Sequence, residues 1–192
     1  MRPLRRKREK NYYRNINEME KIIDGVDLTK VYDVLEEYAV EFEKQLKERY
    51  ELNGRKASGK LIESISIDFI TPDDSHISVV LNVEDYYYWV ENGRKATSTG
   101  KHCPIRPILT WIRNKQIVPR PTKQGKLPTQ EQLAFAIRHK IDNEGYDGSH
   151  DIQYTQQSLE AKYRELLSKA LEEAVSEYVM TFIDRFAKAQ LP

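Results

Sequence analysis

The chain has 192 residues, of which 39% are hydrophobic and 32% charged, and its formal net charge at pH 7 is +1. This length is sufficient for one domain with a hydrophobic core. No apolar run approaches the roughly 20 residues of a membrane-spanning helix, and no apolar signal segment follows the basic N-terminus. Cys103 is the sole cysteine, which excludes an internal disulfide. Composition therefore predicts a soluble protein without membrane contact.

Charged residues are segregated along the chain. Residues 1–10 have a net charge of +5 and residues 11–92 of −9, whereas residues 93–130 have +9 and residues 131–192 have −4. Such blocks favour head-to-tail contact between acidic and basic surfaces of neighbouring subunits, or contact with a polyanion. The other interpretation is that each block is a solvated face of the folded chain.

Residues 1–26 are predicted to form a basic arm followed by a short helix or strap. The segment 1–11 has too few apolar residues to fold alone. Its charge is compatible with a nucleic-acid-binding tail, with a solubilising tail or with an arm that docks on a neighbouring subunit. The candidates for DNA contact within it are Arg5, Arg6 and Arg8.

A helix and a hairpin are predicted next. Apolar residues spaced by three or four positions indicate a helix that follows Asp27 as its N-cap and ends at Asn53-Gly54. Residues 65–70 and 77–83 then form strands, and the turn-forming residues between them predict an antiparallel hairpin.

The stretch 85–111 is predicted to form two short helices joined by a basic loop. A short aromatic helix over 86–92 is predicted to end at Gly93, where a left-handed residue terminates a helix. A basic loop follows, and a second helix starts near Pro104. We expect Trp89 and Trp111 to lie in the core and at least one member of the tyrosine triplet 86–88 to be exposed.

Two further helices complete the prediction. Thr129 and Gln132 have the spacing of a capping box at the start of one helix. From about residue 157 to 189, apolar residues recur in pairs over a stripe wider than a surface helix needs. That long helix either covers the body of the domain on two sides or packs partly on another chain.

These elements predict an α+β fold, in which a small antiparallel sheet packs against several helices, with a long C-terminal helix and a basic N-terminal arm. The predicted segments are an arm and strap (1–26), an α+β core (27–150) and the long helix (151–192).

The search for catalytic or metal-binding patterns is negative. The histidines are scattered, and adjacent His102 and Cys103 lack the spacing of a zinc-ligand pair. No phosphate-binding loop, dinucleotide fingerprint or nucleophile elbow is present. We therefore expect no cofactor, no metal and no enzymatic activity. A hydrolase or nuclease whose site these patterns do not recognise is kept as an alternative hypothesis.

Four co-linear segments carry a family resemblance: SGKLIESI (58–65), YYYWVENGRKA (86–96), PIRPILTWIRNK (104–115) and LAFAIRHKIDNEG (133–145). Their order resembles that of the tail-completion and head–tail joining proteins of tailed bacteriophages, the group with neck and minor tail components. In that family a Gly-x-Leu-x-x-Ser-Ile segment enters the first strand, and a helix ending in Val-Glu-x-Gly carries a loop. The matching residues are Gly59, Leu61, Ser64, Ile65, Tyr86, Trp89, Val90, Glu91 and Gly93.

The resemblance implies a virion protein of the neck or tail, assembled in the host bacterial cytoplasm. Such proteins form homo-oligomeric rings between portal and tail, so the implied partners are a portal or adaptor protein and tail proteins. The acidic block at 33–51 can meet the basic block at 93–126 of a neighbouring subunit. The candidate residues for subunit or partner contact are Tyr86, Tyr87, Tyr88, Arg94, Lys95, Lys101 and Arg106.

A nucleic-acid-binding module is the alternative function. If the basic loop lines a channel, its cations contact passing DNA without sequence preference. The candidates, besides the arginines of the arm, are Arg120, Lys123 and Lys126.

Overall fold

The computed structural model describes residues 22–23, 25–54, 58–73, 76–97 and 102–189. Within these ranges the chain forms six helices and three two-stranded antiparallel sheets. The predicted α+β fold class with a long C-terminal helix is therefore confirmed. Most of the predicted arm and strap lies outside the described residues.

The first described elements are a small hairpin and a long helix. Strand β1 (Ile22–Ile23) pairs with β2 (Val26–Asp27), so the end of the predicted strap is extended rather than helical. Helix α1 spans Thr29–Leu52. Asp27, the predicted N-cap, lies two residues before the start of α1, and its Oδ1 accepts the Thr29 N–H at 2.9 Å.

The predicted antiparallel hairpin is present. Helix α2 (Lys60–Ser64) leads into β3 (Ser66–Asp73), which pairs with β4 (His76–Asn82). The register places Ser66 opposite Asn82, with an irregularity between Ile70 and Asp73.

The remaining helices follow the predicted order, and two short strands that were not predicted, β5 and β6, accompany them. Helix α3 (Tyr87–Asn92) is followed by β5 (Gly93–Arg94), α4 (Ile105–Asn114), α5 (Gln130–Glu144), β6 (Tyr146–Asp147) and α6 (Asp151–Ala189). The capping box before α5 is confirmed. Helix α6 starts at Asp151, six residues before the predicted start, because a distant carboxylate caps it, as shown below.

The described chain divides into two compact units. The first contains residues up to 45, with 66–82 and 155–189. There α1 and α6 pack antiparallel, since Lys30 Nζ lies 2.8 Å from Glu173 Oε2 and the rings of Tyr38 and Tyr163 are 5.2 Å apart. The buried apolar residues of this unit are Val31, Tyr32, Ala39, Phe42, Leu159, Tyr163, Ala170 and Ala174.

The second unit contains residues 46–65 and 83–154. Buried Ile108 and Ile112 of α4 pack there with Ala134 of α5. The prediction that Trp89 and Trp111 lie in the core is wrong, because their exposed fractions are 49% and 42%. Around the axis of α4, Trp111 lies about 60° from Ile108 and about 100° from Ile112, at the edge of the buried stripe rather than at its centre.

Candidate functional site

The backbone at the end of α3 packs closely against the backbone of residues 146–148. Gly93 ends α3 with φ 69° and ψ −159°: its φ is positive, as expected of a glycine after a helix, but its ψ lies outside the predicted left-handed helical region. A Cβ on Gly93 would collide with the carbonyl oxygen of Tyr146, and a Cβ on Gly148 would collide with that of Glu91. The β5–β6 pairing therefore requires glycine on both segments. The helix carrying the aromatic residues is held against residues 145–148.

Glu91 joins α3 to the start of α6. Its carboxylate oxygens accept the N–H groups of Ile152 and Gln153, each at 3.1 Å, and its side chain is buried. Its backbone carbonyl accepts the His150 N–H, also at 3.1 Å. The first N–H groups of a helix have no partner within the helix and carry partial positive charge. A carboxylate from a different element thus caps the longest helix, and sequence analysis missed this role.

Asp142 fixes both ends of the basic loop after Gly93. Its carboxylate accepts the Cys103 N–H at 2.8 Å and lies 2.9 Å from His102 Nδ1, while its carbonyl accepts the Thr97 N–H at 2.8 Å. Arg138 Nε also donates to the carboxylate at 3.4 Å. The Cys103 N–H, followed by His102 and Arg138, lowers the pKa of Asp142. One buried carboxylate therefore sets where the loop leaves and re-enters the fold.

An exposed aromatic surface lies on this fixed framework. We define the aromatic surface as Tyr88, Trp89 and Tyr146, whose exposed fractions are 53%, 49% and 42%. The rings of Tyr88 and Trp89 meet edge to face at 5.4 Å, and Tyr146 Oη donates to the Trp89 carbonyl at 3.2 Å. Arg94 Cζ lies 6.0 Å from the Trp89 ring centre. Sequence analysis did not place Tyr146 here, since only the β5–β6 pairing brings it beside α3.

The residues predicted for partner contact differ in their surroundings. Tyr86 is 43% exposed and precedes α3, whereas Tyr87 is half-buried. The Arg94 guanidinium is engaged inside the chain, 3.3 Å from Thr97 Oγ1 and 3.8 Å from Asp142. Lys95 and Arg106 are exposed. Lys101 lies outside the described residues.

The predicted DNA-facing cations fall into two groups. Arg120, Lys123 and Lys126 are exposed in the loop between α4 and α5, and no ion pair joins them to another described residue. A turn shapes this loop, because the Thr122 N–H donates to the Lys126 carbonyl and the Gly125 N–H to the Thr122 carbonyl, each at 2.8 Å. The other candidates, Arg5, Arg6 and Arg8, lie outside the described residues.

Part of the acidic block on α1 is neutralised within the first unit. Lys162 Nζ donates to Glu41 at 2.7 Å and to Glu37 at 3.4 Å, and Tyr163 Oη donates to Glu41 at 2.6 Å. Hydrogen bonds from Lys162 and Tyr163 lower the pKa of Glu41, and burial together with Glu41 raises the pKa of Tyr163 to about 12. The negative charge that α1 offers a partner is therefore smaller than its sequence indicates.

The described residues contain no group of three histidine, cysteine, aspartate or glutamate side chains that could hold a metal ion. No helix among them is both long and apolar enough to cross a membrane.

Comparisons with protein-family models, with curated proteins and with solved structures found no match to this chain. The resemblance to phage tail-completion proteins therefore rests on the residues quoted for it.

Proposed function

We propose that the chain is a structural virion protein of a tailed phage, which forms a ring in the neck or tail-completion region between portal and tail. The observation that carries this proposal is the aromatic surface. Three large aromatic side chains stay exposed on α3 and β6, two segments that buried Glu91 and two closely packed glycines hold in place. A rigid exposed aromatic surface loses little entropy when a partner covers it.

The charges around the site favour a heterologous contact between copies. Lys95 and Arg106 are exposed in the basic part of the chain, and Glu36 and Glu48 are exposed on the acidic helix α1. A contact between two different surfaces of one chain generates rings when its rotation closes. Opposite charges at the rim then set register and association rate more than affinity.

The experiment is the solution mass of the full chain by light scattering at low and high salt, with the same samples imaged on grids. The proposal predicts closed rings of one size that dissociate at high salt. Adding portal rings of the same phage provides the assembly template if rings do not form alone. A chain that stays without rings at low salt and does not bind portal would refute the proposal.

A matched pair of variants locates the contact. Tyr88→Ala removes the more exposed ring of the α3 pair and is expected to weaken assembly at least about tenfold, the effect of roughly 1.4 kcal/mol at an interface anchor. Val118→Ala, at a 75% exposed position in the loop after α4, is the control and leaves assembly unchanged. Equal behaviour of the two variants would exclude the aromatic surface.

The exposed loop cations favour DNA binding as a second candidate function. Replacing Arg120, Lys123 and Lys126 by glutamine is expected to weaken DNA binding and to lower the slope of log affinity against log salt by about 2.7, since each phosphate contact contributes about 0.9. A control with the same charge change replaces the exposed residues Lys44, Lys60 and Lys169. If both triple variants change the slope equally, the loop is not the binding site.

A further inference from the structure

The second half of α6 presents an apolar surface that no described part of the chain covers. Every residue from 175 to 188 is exposed. The six side chains of this surface are 45–59% exposed, and they are Leu171, Val175, Val179, Phe182, Ile183 and Phe186. We call them the α6 apolar surface.

This surface is distinct from the side of α6 that packs within the first unit. Tyr163, Ala170 and Ala174 are buried on one side of the helix. At 3.6 residues per turn, the centre of the α6 apolar surface lies roughly 130° around the axis from them. The helix therefore has a second apolar side. Gly25 borders its edge, since a Cβ there would lie 3.1 Å from the Tyr178 ring.

The exposed area matches what a dimer contact needs. Aromatic side chains present about 150–250 Å² each and the four aliphatic ones less, so half-exposed the six leave roughly 500 Å² on one copy. Two copies face to face would bury about 1,000 Å², the least that a biological interface needs. The largest apolar patch on a typical monomer is about 300–600 Å², so this surface stands at the upper end.

We propose that the α6 apolar surface pairs with the same surface of a second copy, in an antiparallel two-fold contact. A two-fold contact needs one self-complementary surface, and this one is apolar along its whole length. The pairing places Leu171 opposite Phe186 of the second copy, and Val179 near the two-fold axis.

Charge favours the antiparallel orientation over the parallel one. At 3.6 residues per turn, the charged residues within roughly 100° of the centre of the surface are Glu172 at its N-terminal end and Arg185 at its C-terminal end. Antiparallel pairing places Glu172 of one copy opposite Arg185 of the other, and it also opposes the two helix dipoles.

The test is sedimentation equilibrium of the full chain at high salt, where the proposed rings dissociate, from about 1 μM to about 200 μM, with a dimer dissociation constant expected on the order of 10 μM. Val179→Glu places a charge at the centre of the contact and is expected to raise that constant at least about 100-fold, which is about 2.7 kcal/mol. Met180→Glu is the matched control, because Met180 is 61% exposed but lies outside the surface. It is expected to change the constant by less than about threefold, and circular dichroism checks that both variants keep their helix content.

Three results would overturn the proposal. The first is a wild-type chain that is monomeric over the whole concentration range. The second is equal weakening of the dimer by both variants. The third is a mass that grows beyond two copies in the wild-type chain but not in Val179→Glu. The last result would show a head-to-tail contact through α6 in place of the two-fold one.

Disulfide trapping tests the orientation in a Cys103→Ser background. Mixing Leu171→Cys with Phe186→Cys chains is expected to give the mixed disulfide, with little self-linkage of either chain. Self-linkage of each chain without the mixed product would mean parallel helices and refute the antiparallel arrangement.

This contact uses no residue of the aromatic surface or the basic loop. Ring assembly can therefore be measured in the Val179→Glu variant, and either proposal can fail without the other.

Discussion

Removal of the Glu91 carboxylate tests the framework under the aromatic surface. In Glu91→Ala, the N–H groups of Ile152 and Gln153 lose acceptors at 3.1 Å in a buried setting. Hydrogen bonds to a charged group contribute about 1.5–3 kcal/mol each, without full additivity, so the free energy of unfolding is expected to fall by about 3 kcal/mol. For a chain of this size the melting temperature should drop by about 6–12 °C.

Glu91→Gln separates charge from hydrogen bonding at the same site. The amide keeps one acceptor but loses the charge that faces the helix N-terminus, so about half of the loss in the alanine variant is expected. Glu48→Gln, at an exposed position on α1, is the matched charge control and should stay within about 0.5 kcal/mol of wild type. Urea denaturation followed by circular dichroism measures all three variants. A Glu91→Ala chain as stable as the Glu48→Gln chain would refute the capping role.

Three other predictions test separate parts of the fold. Gly93→Ala introduces a backbone collision and is expected to cost more than about 3 kcal/mol, whereas Gly125→Ala has positive φ but open space and should cost about 1 kcal/mol in the same denaturation assay. Thr129→Ala removes half of the capping box before α5 and should cost about 1 kcal/mol. Tyr163 has a raised pKa, so stability should fall as pH rises from 10 towards 12; Tyr163→Phe should remove the phenolate absorbance step near pH 12 and reduce that fall.

Local signals predicted most helices and turns correctly. The capping box at Thr129, the helix end before Gly54 and the alternation in the hairpin each depend on residues within a few positions of one another. Such signals are present in a single sequence because the interacting groups are neighbours along the chain.

The contacts that build the site were not predictable in the same way. Glu91 acts on N–H groups 61 and 62 residues away, and Asp142 acts on a backbone N–H 39 residues away. Nothing near either carboxylate in the sequence indicates its partner. The early start of α6 at Asp151 has the same cause, since its cap comes from α3.

The tryptophan predictions failed for a related physical reason. Hydrophobicity indicates that an indole gains from burial, but the available volume is decided by neighbouring elements. In α4 the side chains of Ile108 and Ile112 already fill the contact with α5, so Trp111 remains at the surface.

The residues that carry the family resemblance have two different roles in this structure, since some hold the framework while Trp89 belongs to the aromatic surface. Glu91 and Gly93 hold α3 against the start of α6 and are buried, so they have no surface to offer a partner. Tyr88 and Trp89 lie on the same short helix and are exposed. Substitution of Glu91 would therefore disturb assembly by unfolding the framework, whereas Tyr88→Ala would disturb it without loss of stability. Only the second result would support a subunit contact, which is why assembly and stability have to be measured on the same variants.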